Sequence, residues 1–211
     1  MTGNLGRVGI ALGAFYNSQL GAGRLDQFRV IRHVTQSLGR LLEREVSAAM
    51  ARTVPVRYGY GPEAREGGGS LTVIHCHLDD VRASLDREYE RMGDIERFRS
   101  GSLNVTSRFL ISAWAQPPED LDLLGAVLRV IHDHKTLEPD DWEQASFVYE
   151  GNPQIKADPI SVADHKLLAD GYGMPLAPSV CYTIQYSIHS VRTTPIKRVR
   201  ERVIDIRKID G

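Results

Sequence analysis

Cysteine is scarce in this sequence of 211 residues, which contains Cys76 and Cys181 and no other cysteine. The two lie far apart along the chain, and neither belongs to a Cys-x-x-Cys pair. This spacing argues against a disulfide scaffold and against a structural zinc ribbon, because both need closely spaced or paired cysteines. Reduced thiols in the protein interior are the simpler interpretation.

Net charge and long hydrophobic runs are lacking as well. The 26 Lys and Arg residues are balanced by 27 Asp and Glu residues, which leaves a formal charge of -1 and no overall field to hold nucleic acid or an anionic membrane. An apolar patch at Val8–Phe15 is too short to span a bilayer, and no convincing signal-cleavage site follows it. With 42% hydrophobic and 25% charged residues, the composition predicts a soluble, globular, cytoplasmic protein.

Hydrophobic periodicity predicts three helices. Apolar residues recur every three or four positions from Leu25 to Met50, which is typical of one long amphipathic helix. A second helix is predicted to begin at Glu119, where acidic residues cluster in the first turn, and to end near His134. Its expected buried side consists of Leu121, Leu124, Val127, Leu128 and Ile131. A short third helix is predicted after Ser161, a good N-cap residue.

Three other stretches have the composition or the alternation of strands. The first begins at Leu71 with the β-prone sequence LTVIHCHL, the second is a half-buried strand at Asn104–Trp114, and the third and clearest runs from Ser179 to His189. Residues 79–99, between the first two strands, carry dense charge of both signs. We expect this segment to form an exposed loop or a mobile helix, with a turn at Asp79-Asp80.

The order of these elements predicts one compact α/β domain over residues 25–190. Its sheet is expected to be mixed, mainly antiparallel, and flanked by helices. Residues 1–24 are rich in glycine and small apolar residues and are predicted to be an N-terminal extension. Residues 191–211 are predicted to be a charged C-terminal arm.

Common catalytic motifs are missing from the sequence. It has neither the GxxxxGK[ST] nor the GxGxxG spacing of phosphate-binding loops, and no GxSxG nucleophile elbow. His75 and His77 are two residues apart on a predicted strand, so they should point to one side, where both could reach a metal. Because no third ligand accompanies them at a known spacing, we predict no metal and no cofactor. A metal-binding protein or enzyme that uses these two histidines is the first alternative function.

The C-terminal arm combines seven basic and three acidic residues with β-branched residues. It lacks aromatic residues for base stacking and a clean apolar face for membrane insertion. A nucleic-acid-binding module that uses this basic arm is therefore the second alternative. The pattern fits better with a strand that is added to the sheet edge of another subunit.

Several stretches together resemble a known family. A long helix, FRVIRHVTQSLGRLLEREV, precedes VIHCHLDDVRAS, in which Asp80-Val81-Arg82 is similar to a family turn. The segment SRFLISAWAQPPEDLDLLGAVLRVI contains Ala113-Trp114-Ala115 at the end of a strand and Leu123-Leu124-Gly125 in the helix that follows. The last stretch is ISVADHKLLADGYGMPLAPSVCYTIQYSI. In order and spacing, residues 26–190 resemble the cap, or tail-terminator, family of phage-tail-like contractile injection systems, which includes the antifeeding-prophage and virulence-cassette particles.

The resemblance implies a tail-terminator-like fold and a structural protein that is not an enzyme. It implies a homohexameric ring on the end of the inner tube and sheath distal to the baseplate, where the ring stops elongation of both. The implied partners are further copies of the chain, the inner tube protein and the sheath protein, with the tape-measure protein as a further candidate. Neither nucleic acid nor membrane insertion is implied.

Candidate interface residues come from two charged segments. The charged loop from Arg82 to Arg99 is expected to dock on the last tube ring. The C-terminal arm, from Pro195 to Ile209, is expected to add a strand to a neighbouring cap or to the last sheath ring. The candidates are Arg82, Arg87, Glu88, Arg91, Arg97, Arg99, Arg192, Lys197, Arg198, Arg200, Arg202, Val203, Ile206 and Arg207.

Overall fold

The computed structural model describes residues 29–59, 69–85, 88–92, 95–138, 141, 152–188 and 193–195. The helices are α1 (Val30–Met50), α2 (Glu119–Asp133) and α3 (Val162–Gly171). The strands are β1 (Val56–Tyr58), β2 (Ser70–Ala83), β3 (Glu88–Met92), β4 (Ile95–Arg99), β5 (Leu103–Trp114), β6 (Gln154–Ala157), β7 (Ser179–Ile188) and β8 (Thr193–Pro195). The expected N-terminal extension and most of the C-terminal arm lie outside the described residues. Within the described ranges, none of the helices is both long enough and apolar enough to cross a membrane.

A five-stranded sheet with the order β1-β2-β5-β7-β6 forms the centre of the fold. The β1/β2 pair is parallel, and the other three pairs are antiparallel. β5 is the middle strand and pairs with β2 along its whole length, from Leu103 opposite Ala83 to Trp114 opposite Ser70. The prediction of an α/β fold with a mixed, mainly antiparallel sheet flanked by helices is confirmed.

Helices α1 and α2 share one face of this sheet. Leu38, Leu41 and Leu42 of α1 are completely buried and join one apolar cluster with Phe109 and Ile111 of β5. The helix predicted for Leu25–Met50 begins at Val30 in the structure, and residues 25–28 lie outside the described part. It ends where Ala51 adopts a left-handed conformation with a φ of 51°, a common way to terminate a helix.

The buried side of α2 differs from the predicted one. Leu123, Val127, Val130 and Ile131 are buried, whereas Leu121 is 60% exposed and Leu128 is 46% exposed. The cause is tertiary: α2 packs against both α1 and β5, so its buried stripe is rotated toward Leu123 and Val130. The expectation that Leu121 and Leu128 belong to the core was wrong.

The opposite face of the sheet is covered by the chain between β6 and β7. Met174 packs on Ile74 and Leu110, and Trp114 packs on Ala177. The indole Nε1–H of Trp114 donates to Thr72 Oγ1 at 2.9 Å. The strand predicted to be half-buried is therefore buried on both faces from residue 109 to residue 114.

Helix α3 begins as the sequence predicts. Ser161 is its N-cap, and Ser161 Oγ accepts a hydrogen bond from the Asp164 backbone N–H at 3.1 Å. The next turn contains Gly173, whose φ of 63° suits a residue without a Cβ atom. This turn leads the chain to Met174 and Ala177, which complete the second layer.

Candidate assembly interface

The charged segment between β2 and β5 is a β-structure. β2 continues to Ala83, and β3 and β4 then form an antiparallel hairpin, with Glu88 opposite Arg99 and Met92 opposite Ile95. The expectation of an exposed loop or mobile helix was wrong, and the turn expected at Asp80-Val81-Arg82 is part of β2.

Residues of opposite charge occupy paired backbone positions along this hairpin. The register places Glu90 opposite Arg97, Arg91 opposite Glu96, and Glu88 opposite Arg99. Opposite charges at directly paired positions stabilise antiparallel strands. The mixed charge of this segment therefore matches the pairing of two strands and not a solvated loop.

β8 pairs with β4 and completes a second sheet of three strands, with the order β3-β4-β8. Its pairing places Thr194 opposite Phe98 and Pro195 opposite Arg97. The start of the predicted C-terminal arm thus lies on the hairpin of its own chain. In the described residues, none of the other elements packs extensively on the second sheet. A small sheet needs three or more strands with a hydrophobic face, or packing against a helix, to be stable by itself.

An aromatic pair lies on one face of the second sheet. The rings of Tyr89 and Phe98 meet edge to face with their centroids 6.0 Å apart. Tyr89 is 54% exposed and Phe98 is 36% exposed. Leu85, between β2 and β3, is 97% exposed. Exposed apolar side chains that lie together, as Tyr89 and Phe98 do, are typical of protein-binding surfaces. Sequence reasoning missed this pair and Leu85.

The predicted interface residues divide between described and undescribed parts of the chain. Arg82 lies at the exposed end of β2, with its Nε 2.8 Å from Asp80 Oδ2, and Arg97 and Arg99 lie on β4. Glu88 and Arg91 are backbone positions on β3. The remaining candidates lie outside the described residues: Arg87, Arg192, Lys197, Arg198, Arg200, Arg202, Val203, Ile206 and Arg207.

A bulge in β2 separates the two histidines of the metal hypothesis. His75 is opposite Phe109 and His77 is opposite Arg108, so Cys76 is one residue too many for regular pairing. Since Phe109 and Arg108 are consecutive residues of β5, they point to opposite faces of the sheet. His75 and His77 therefore do not share a side, and the expectation that both reach one metal was wrong.

The surroundings of His75 are those of a structural residue. Its ring meets the ring of Phe109 edge to face, at a centroid distance of 5.3 Å. Burial, followed by the nearby His77, lowers the pKa of His75. Across the described ranges, no three His, Cys, Asp or Glu side chains converge as metal ligands would.

A second bulge brings a charged cluster together on the other face. Asp79 is the extra residue there, so the predicted turn at Asp79-Asp80 was wrong. Asp79 Oδ1 lies 2.6 Å from His77 Nε2, and Asp79 Oδ2 lies 3.3 Å from Arg108 Nε. The same Arg108 Nε lies 2.6 Å from Asp158 Oδ2. The cluster ties β2 and β5 to the segment before α3, because the Arg108 guanidinium lies between the carboxylates of Asp79 and Asp158, as in a structural contact.

Both thiols should react slowly in the folded protein. Burial, followed by the neighbouring Cys76 and Asp158, raises the pKa of Cys181 from 9.0 to about 12, and burial raises the pKa of Cys76. At pH 8 we expect alkylation of Cys181 by iodoacetamide, followed by mass spectrometry, to be about a thousandfold slower than in urea. Because thiolate forms more readily in the unfolded chain, the free energy of unfolding should fall as pH rises above about 9. Equal alkylation rates in buffer and urea would contradict this burial.

The sequence matches the Pvc16 N-terminal domain family model over residues 33–200. Two solved structures have a similar fold, and both come from cryo-electron microscopy. One is the PVC sheath/tube terminator of an extracellular contractile injection system in its extended state, with a TM-score of 0.57 and 13% identity over 82% of this chain and 64% of that chain. The other is the anti-feeding prophage tube-terminating cap, with a TM-score of 0.58 and 16% identity over 82% of this chain and 60% of that chain.

At these identities the likeness concerns the fold, and this chain spans about three fifths of the length of either solved protein. No curated protein matches the sequence. The resemblance to tail-terminator caps is confirmed by the family match, which covers most of the described domain. The chain belongs to the Pvc16 N-terminal domain family.

Proposed function

We propose that this protein is a structural cap that terminates the inner tube and the contractile sheath of an injection particle. The observation that carries the proposal is the family match over residues 33–200. The fold adds support, because the two similar solved structures are a sheath/tube terminator and a tube-terminating cap. This role needs rigid surfaces and no reactive group, so the proposed protein is not an enzyme.

The proposed form of the cap is a ring of six copies. Head-to-tail contacts close into a ring when each subunit uses two different surfaces. Residues 25–190 form the proposed subunit body, with residues 1–24 as an extension and residues 191–211 as an arm. The cap would assemble in the cytoplasm at the distal end of the particle, where its partners are the tube protein, the sheath protein and the tape-measure protein.

The second sheet is the proposed contact surface of the body. Tyr89 and Phe98 are exposed there although they are aromatic, and no described element covers them extensively. Arg97 and Arg99 flank Phe98 on β4, so their side chains point to the opposite face of the second sheet. Tyrosine is among the residues enriched at the energetic centre of protein interfaces. The candidate interface residues on β3 and β4 belong to the second sheet, and Arg82 lies at the exposed end of β2.

Growth of tubes from purified inner tube protein tests the proposal. Short tube seeds would be extended with fluorescent tube subunits in the presence of this chain, and tube ends would be viewed by electron microscopy. We expect the chain to bind one end of each seed and to stop elongation there. The double variant Tyr89→Ala, Phe98→Ala should lose at least about tenfold in the apparent affinity of end binding, as expected when interface hot spots are truncated.

The matched control is Tyr58→Ala, which removes another half-exposed tyrosine from β1, far from the second sheet in the strand order. This variant should bind and stop tube ends as the unchanged protein does. Wild-type protein that leaves both ends growing, or that coats tubes along their length, would overturn the cap proposal. Equal losses in the test and control variants would show that the second sheet is not the contact surface.

A further inference from the structure

Helix α3 has fewer buried residues than the other two helices. Ala169 is the buried residue of α3, whereas α1 and α2 each bury several side chains. Val162 is 80% exposed and Leu167 is 69% exposed, and only Leu85 exceeds both values among the large apolar side chains of the described ranges. Short helices gain most of their stability from packing of an apolar side. The described part of the chain leaves the apolar residues of α3 largely in solvent.

A positive charge lies among these apolar residues. Lys166 is exposed and follows Val162 by four positions, so the two side chains are neighbours on the helix surface. Leu167 is the next residue along the chain. Within the described ranges, no carboxylate pairs with the ammonium group of Lys166. The exposed side of α3 thus combines a lysine with two apolar side chains.

A groove with complementary properties lies where β5 ends. Its lining includes Trp114 and Pro117, Asp120 from the first turn of α2, and Leu176 and Pro178 from the segment before β7. Its volume of about 180 Å³ is smaller than that of most small-molecule sites, which are about 300 to 1,000 Å³. The groove therefore suits side chains of another protein better than a cofactor or a metabolite.

Asp120 places a negative charge in this groove. The neighbouring Glu119 pairs with Arg52, whereas no cation in the described residues pairs with Asp120. One oxygen of Asp120 accepts a hydrogen bond from the Leu121 backbone N–H at 2.9 Å. Leu121 is 60% exposed and Leu176 is 59% exposed. The surface around the groove thus combines one carboxylate with exposed leucines, which complements the lysine and the apolar side chains of α3.

We propose that, in the assembled ring, α3 of each subunit docks in the groove of the next subunit, with Lys166 beside Asp120. This inference rests on the proposed ring and names the contact between its subunits. The exposed apolar side chains of α3 then pack on the leucines around the groove, as an amphipathic helix packs in an apolar groove. α3 and the groove are two different surfaces of one chain, which head-to-tail contacts require.

This contact leaves the second sheet available to another partner. β4 ends at Arg99 and β5 begins at Leu103, so the second sheet is connected to the start of β5. The groove lies at the other end of β5, and a strand of 12 residues spans about 36 Å between its ends. A subunit can therefore bind its neighbour through α3 and the groove while the second sheet contacts the tube end.

Reversal of the two charges tests the contact. Fluorescent protein would be titrated onto short tube seeds, and the copies at each tube end would be counted by stepwise photobleaching. We expect six copies of the wild-type chain at saturation. The single variants Asp120→Lys and Lys166→Asp each bring like charges together and should need at least about tenfold more protein to fill the tube ends. A chain with both changes restores the opposite charges and should need about as much protein as the wild type.

Two further variants separate docking from effects on folding. Asp122→Lys makes the same change in the first turn of α2, outside the lining of the groove, and should fill tube ends like the wild type. Leu167→Ala removes an exposed side chain, so it should leave the fold stable but also need about tenfold more protein. Single variants that fill tube ends like the wild type, or a double variant no better than the single ones, would overturn the inference.

The wild-type titration separates this inference from the proposed function. Tube ends that stop growing with a single bound copy would leave the cap function standing and refute the contact between subunits. Wild-type protein that binds no tube end would refute both the cap and the ring contact.

Discussion

Replacing Phe109 with alanine should lower the free energy of unfolding by about 3 to 5 kcal/mol. Phe109 lies on the middle strand of the central sheet and is 0% exposed. Its ring contacts the imidazole of His75 and belongs to the cluster that α1 and α2 close from above. Truncation removes apolar contacts on several sides and leaves a cavity that the surrounding strands and helices can fill only in part. Urea denaturation followed by circular dichroism measures the loss.

The matched control makes the same chemical change on the second sheet. Phe98→Ala should cost about 1 kcal/mol or less, because Phe98 is 36% exposed to solvent. Should Phe109→Ala fail to fold, Phe109→Leu preserves most of the volume and should cost about 1 to 2 kcal/mol. Similar losses for Phe98→Ala and Phe109→Ala would show that the core does not depend on β5 as described.

Replacing Arg44 with methionine should lower the free energy of unfolding by about 2 to 3 kcal/mol, below the range for fully buried pairs because the arginine is half exposed. Arg44 Nη1 lies 2.8 Å from Asp141 Oδ1, and the Asp141 side chain is only 1% exposed. The second oxygen of Asp141 accepts a hydrogen bond from the Glu138 backbone N–H at 3.0 Å. Without the guanidinium, a carboxylate stays buried with much of its charge uncompensated.

A double-mutant cycle tests this cause. If the penalty comes from the charge of Asp141, the change Asp141→Asn should recover much of the stability that Arg44→Met loses, and the two changes should not be additive. The matched control is Arg129→Met on α2, where the exposed Arg129 Nε lies 3.9 Å from Asp133 Oδ2, and this change should cost about 0.5 kcal/mol or less. Additive losses in the cycle would contradict the ion pair as the source of the effect.

Strands of the central sheet were predictable from the sequence where apolar and polar residues alternate. β7 and the first half of β5 alternate because one of their faces packs under α1 and α2, and the structure confirms both strands within one residue at either end. The start of α3 was predictable from Ser161 alone, since its cap is a local interaction. The buried side of α2 was not predictable, because leucines occupy several sides of that helix and packing decides between them.

The sequence contains a hairpin pattern for the second sheet, but its many charged residues obscure that pattern. Residues 88–92 read EYERM and residues 95–99 read IERFR, with Gly-Asp between them. Two short alternating segments joined by Gly-Asp are a known hairpin pattern. Charged residues dominated the interpretation as a loop, although opposite charges recur at paired positions. The bulges at Cys76 and Asp79 had no comparable signal, because an added residue changes the pairing and leaves the composition unaltered.

The two bulges in β2 also affect whether another strand can pair with the outer edge of this strand. β1 pairs with the outer edge of β2 from Leu71 to Val73. In the described part of the chain, no strand pairs with the rest of that edge. Each bulge interrupts the regular row of backbone amide and carbonyl groups along this edge. The interruption opposes pairing with a strand of another molecule. For the proposed cap, a long edge that does not pair with strands of other molecules would prevent the protein from forming fibrils of its own.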